Sequence, residues 1–140
     1  MYLTYEEYKN MGGTLVETTF DSLCFEAQSY VDWCTFNRLH KESVENYPEE
    51  LKRVMFELIK HIQTKRSLMN PGDVTLSSTG TTSVAKMEND GVSVTYNTVS
   101  ANDFLSRDRK EIQTLIQTYL RSTTNSLGQK LLYRGRYADE

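Results

Sequence analysis

Three stretches of this chain place apolar residues at intervals of three and four, and that period constrains the fold more than any other feature. In the first, Phe20, Leu23, Cys24, Ala27, Val31 and Cys34 follow one another at spacings of three, one, three, four and three. This is the repeat of a single helix face. Leu51, Val54, Met55, Leu58, Ile59 and Ile62 form a second stripe, and Phe104, Ile112, Leu115, Ile116, Tyr119 and Leu120 a third. An apolar stripe on a helix must be buried against another element. The expected fold class is therefore mainly α: a small bundle of about four helices, with a β-hairpin or extended loop inserted before the last long one.

Local signals mark the helix ends. Leu3 to Gly13 reads as a short helix, with Thr4 and Glu7 spaced as a capping box and Leu3 and Tyr8 at the hydrophobic-staple positions. Gly12-Gly13 supplies a left-handed exit. A second helix is expected from Thr19 to Leu39, with Phe25, Trp33 and Phe36 partly off its stripe. That second apolar face implies more than one neighbour, either within the chain or on another subunit. A third helix is expected from Tyr47-Pro48-Glu49-Glu50 to Asn70-Pro71-Gly72, since proline suits the first helical position. The fourth is expected from Ser100 to Ser122.

Residues 73–98 lack a helical period. Val92, Val94 and Tyr96 alternate with polar residues, as in a half-exposed strand, and Asn89-Asp90-Gly91 before them is a turn signal. A hairpin with Ser83–Glu88 as partner strand is expected. The domain division is a helical domain over 1–122 and a tail over 123–140.

The chain has 140 residues, the size of one domain, a net charge of -3 and a pI near 5.5. That balance argues against a general nucleic-acid binder, which usually presents a basic domain. No apolar run reaches the ~20 residues of a membrane helix, and the N-terminus has neither the basic start nor the apolar core of a signal peptide. The expected location during synthesis is a cytoplasm. Cys24 and Cys34 lie ten residues apart in one expected helix, which separates their backbones by ~15 Å. A disulfide needs less than ~7 Å, so two reduced thiols are expected.

Candidate chemistry is sparse. His40 and His61 have no partner at a recognised metal-ligand spacing, and phosphate-binding and nucleophile-elbow motifs are missing. Glu42, Glu45, Glu49 and Glu50 read as a solvated acidic patch at a helix start. No enzyme activity, cofactor or metal is expected. Two features stand out instead. From Arg121 through Arg136 there are four basic residues and no acid, which suits an ordinary basic tail, docking on an acidic partner or nearness to DNA. Nine tyrosines, several near the termini, suit an assembly subunit, because tyrosine joins apolar area to a polar tip.

Met1-Tyr2-Leu3-Thr4-Tyr5-Glu6-Glu7-Tyr8 through Gly12-Gly13-Thr14-Leu15 resembles the opening of head–tail connector (adaptor) proteins of tailed bacteriophages and prophages. Phe20, the run Thr35-Phe36-Asn37-Arg38-Leu39 and the ending Leu131-Leu132-Tyr133-Arg134-Gly135 are similar to that family too. The resemblance implies a virion structural protein at the head–tail interface. Such subunits form a ring, commonly a dodecamer, beneath the portal protein. The ring extends the DNA channel and docks the next connector, a stopper or a tail protein. DNA would pass without sequence-specific binding, and no membrane is involved. Stopper, tail-completion protein and small helical DNA-binding regulator remain alternatives. The candidate assembly contacts are Val92, Val94, Tyr96, Leu131, Leu132, Tyr133 and Arg134. Segments 73–98 and 123–140 are expected to order on binding neighbouring subunits or the portal. Leu131-Leu132-Tyr133-Arg134 would be an anchor for a partner, unless Leu131 and Leu132 close the subunit's own core.

Overall fold

The computed structural model describes residues 1–69, 88–89, 92–93 and 101–138. Helices α1 (Tyr5–Asn10), α2 (Glu17–Cys34) and α3 (Glu49–Met69) are followed by two short strands, β1 (Glu88–Asn89) and β2 (Val92–Ser93), and by α4 (Ala101–Leu120). The described fold is mainly helical, as the three stripes require. α2, α3 and α4 pack on one another, and α1 lies against α2.

The stripes form most of the core, but Phe104, expected on the apolar face of α4, is not part of it. Phe20, Leu23, Cys24, Ala27 and Val31 of α2 are buried, as are all six apolar positions of the α3 stripe and Ile112, Ile116 and Leu120 of α4. Leu115 and Tyr119 pack half-buried against them. Each large aliphatic side chain taken fully out of water contributes about 1.5–3 kcal/mol before the entropy of ordering it.

The N-terminal arm closes one region of the bundle. Thr4 Oγ1 accepts from the Glu7 N–H at 3.2 Å, and the Thr4 N–H donates to Glu7 Oε2 at 2.9 Å. Gly12 takes a φ of +93°, a left-handed exit that a side chain would resist. Tyr8 packs on Phe20 and Phe56, with ring centroids 4.9 and 5.5 Å apart. The Tyr2 hydroxyl donates to Asp32, and its ring meets Tyr47 edge-on. Tyr2 and Tyr8 are therefore core residues, not the interface residues their position near the terminus suggested. Their rings fill the bundle while their oxygens reach partners; Tyr8 Oη accepts from the Leu15 N–H at 3.3 Å.

α2 ends at Cys34, where its apolar stripe stops, and not at Leu39 as expected. Phe36 and Asn37 both take left-handed backbone, with φ of 55° and 58°. Asparagine tolerates that region and phenylalanine does so at a cost. The Asn37 N–H donates back to the Asp32 carbonyl at 2.9 Å, which closes the turn. The chain then swings inward, and Arg38 and Leu39 become buried.

β1 and β2 pair antiparallel, Glu88 with Ser93 and Asn89 with Val92. The rest of the expected hairpin lies outside the described residues. Cys24 and Cys34 are both free. Burial pushes the Cys24 thiol up to about 11.

Candidate assembly surface

The chain beyond α4 folds back onto the bundle. Thr124 and Lys130 form an isolated antiparallel bridge. Between them, Asn125 Oδ1 accepts from the N–H groups of Leu127 and Gln129 at 3.1 and 2.8 Å. The side chain so placed is Leu131, fully buried in the core.

Arg38 fixes this return. One terminal nitrogen donates to the carbonyls of Lys130, Leu131 and Tyr133 at 3.3, 3.0 and 2.5 Å, and the other to that of Gly135 at 2.8 Å. The guanidinium also lies 5.2 Å from the Phe36 ring centroid and 5.0 Å from that of Tyr137, within cation–π range. Arg38 stands more than 90 residues from these carbonyls in sequence. Asn37 just before it, a residue type that tolerates left-handed backbone, is a local hint of the turn that buries it.

The candidate contacts therefore divide. Leu131 is corrected from a partner anchor to a core residue, because the Arg38 bonds draw its strand inward. Leu132 is half-buried against the core, while Tyr133 and Arg134 are exposed. The Tyr133 ring covers Gly135 so closely that an added Cβ would sit 2.3 Å from it. Val92 belongs to β2. Val94 and Tyr96 lie outside the described residues.

Other large exposed apolar groups lie on α2 and in the turn after it. Phe25, Trp33 and Phe36 are 76%, 63% and 51% exposed. These are the residues that fell off the α2 stripe, so the periodicity already carried their signal. Trp33 and Phe36 flank a groove of about 630 Å³, which Cys34, Ile116, Leu132 and Arg134 also line. A second depression shares Gln117 and Leu132 with it and is bordered by Arg121, Lys130 and Tyr133. The two depressions adjoin at Gln117 and Leu132, beside α4 and the tail, and together make up a trough.

A separate polar cluster joins α3 to the first half of α4. Asp108 Oδ1 meets His61 Nε2 at 2.9 Å, and its Oδ2 accepts from Lys65 Nζ at 2.7 Å. Burial alone would raise the Asp108 carboxyl, but the bonds and charges of Lys65 and His61 outweigh it and hold the group below its ordinary value. Burial likewise opposes the charge on Lys65, and Asp108 more than offsets it.

Among the described residues, no group of three His, Cys, Asp or Glu side chains is placed to hold a metal ion, and no helix is long and apolar enough to cross a membrane. Comparison with protein-family models, curated proteins and solved structures finds no match for this chain.

Proposed function

We propose that this chain is a structural subunit of the head–tail connector of a tailed bacteriophage, working in a ring beneath the portal and offering a surface to the next connector or tail protein. The observation that carries this reading is the apolar surface left uncovered by the chain's own fold: Phe25, Trp33 and Phe36, with Tyr133 beside the groove. Trp33 and Phe36 line one groove, and large apolar groups gathered at a surface favour a neighbour that takes them out of water. The residues that resemble the connector family also have structural work here. Leu3 and Tyr8 close the core, the Thr4–Glu7 cap starts α1, and Arg38 holds the Leu131–Gly135 run. Such a set suits a scaffold better than a catalyst.

Deleting the gene from its phage or prophage tests the proposal. DNA-packaged heads without tails, restored by the gene in trans, are the expected result. The purified protein should also add a layer of density to portal rings in electron micrographs. Normal tailed virions from the deletion strain would overturn the reading.

A further inference from the structure

We propose that the trough between the end of α2, α4 and the tail is a docking groove for an acidic, apolar-anchored peptide segment of a partner protein. The inference rests on the chemistry of the trough and is independent of the connector reading.

The first observation is the apolar lining. Trp33 and Phe36 line one depression, Tyr133 lines the other, and Leu132 lines both. Trp33 is 63% exposed and Tyr133 is 51% exposed. Aromatic side chains beside arginine are the residues that dominate binding energy at protein interfaces.

The second observation is charge. Arg134 lines one depression, and Arg121 and Lys130 line the other. None of the three side chains makes a hydrogen bond or ion pair with any described residue. The one acid in the lining, Asp32, is already engaged by the Tyr2 hydroxyl and His40 Nε2. The trough is thus locally cationic on a chain whose net charge is -3.

These features select among occupants. A carboxylate-bearing segment would pair with Arg134, Lys130 and Arg121 while an apolar side chain enters between Trp33 and Leu132. A nucleic acid offers phosphates and flat bases, but no flexible aliphatic side chain to enter beside Leu132. A long polyanion would also meet the net negative field of the molecule, whereas a short segment feels mainly charges within a Debye length of ~8–10 Å.

Trp33 is the sole tryptophan, so intrinsic fluorescence reads the groove directly. The probe is a short synthetic peptide alternating Asp or Glu with Leu or Phe. We expect a saturable blue shift that weakens as salt rises. The double variant Lys130→Glu, Arg134→Glu alters two exposed side chains. It should bind about tenfold more weakly or worse, a loss of 1.4 kcal/mol per factor of ten. Its thermal melt should match the parent. Unchanged affinity in the folded double variant would overturn the proposal. So would a peptide with Lys in place of the acids binding equally well, or oligo-dT binding more tightly than the peptide. No shift with the peptide would overturn it too. Sedimentation showing that Trp33 is buried by self-association without peptide would identify a second copy as the occupant, and would equally overturn it.

Discussion

Arg38 and Asp108 are two nearly buried charges that tie a flanking segment onto the helical bundle, and they do so by different chemistry. The described hydrogen-bond partners of Arg38 are backbone carbonyls of residues 130–135. Those four acceptors are main-chain oxygens, fixed in place by the backbone of the tail. Asp108 instead meets the ionisable side chains of His61 and Lys65, and its hold depends on protonation. Their apolar surroundings differ as well. The tail brings the buried Leu131 into the core, whereas Asp108 is the one buried position over Asn102–Glu111 of α4, and the apolar contacts resume at Ile112. The tail is thus held by packing and polar bonds together, and the start of α4 chiefly by a polar clamp.

The largest effect expected from this contrast is at the tail. Removing residues 129–140 deletes Leu131 and the carbonyls of Lys130, Leu131, Tyr133 and Gly135 that Arg38 donates to, leaving a buried cation without them. The truncated chain should unfold or melt far below the parent in calorimetry. An unchanged melting temperature would break the assignment of the tail to the core. Arg38→Ala should cost about 3 kcal/mol or more, because bonds to a charged group contribute about 1.5–3 kcal/mol each and are not additive. Amide exchange over 121–138 should rise in step. Arg38→Lys keeps the charge but loses the fork geometry, and should recover only part of the loss. Leu131→Ala should cost about 2–5 kcal/mol.

A smaller, pH-dependent effect is expected at the clamp. The carboxyl of Asp108 is depressed in the fold, so its stabilisation is present above the unfolded value of about 3.9 and is lost as pH falls through the lower folded value. Lys65 is raised, so its share is present below about 10.4 and is lost as pH rises through the higher folded value. The clamp therefore holds across the range between those limits. Asp108→Asn should cost about 1–3 kcal/mol at neutral pH. The difference from the parent should vanish in strong acid, with the loss of amide protection confined to the first half of α4. A deficit that persists unchanged at low pH would show that packing, not charge, holds that half. Smaller still, Thr4→Ala should cost about 1 kcal/mol through the lost cap, read in a denaturant titration.

The candidate surface was partly legible before folding. Phe25, Trp33 and Phe36 fell off their stripe, and the basic run Arg121–Arg136 was visible as a charge asymmetry. Which of Leu131, Leu132, Tyr133 and Arg134 would face outward was not legible. Four residues are too few to display a period, and their orientation is set by Arg38 from far along the chain.

By itself, the sequence determined the helices, their buried faces, the Thr4–Glu7 cap and the exit at Gly12-Gly13. These follow from interactions between residues a few positions apart, and a 3.6-residue period repeated over several turns leaves little ambiguity. Only the tertiary structure decided where α2 stops, where Tyr2 and Tyr8 go, and that Leu131 belongs to the core. The residues after Cys34 carry no Gly or Pro that would stop a helix on paper. Turning the chain at Phe36 and Asn37 costs local backbone energy, and the compensating gain arises only when Arg38 and Leu39 reach partners brought together by the whole bundle.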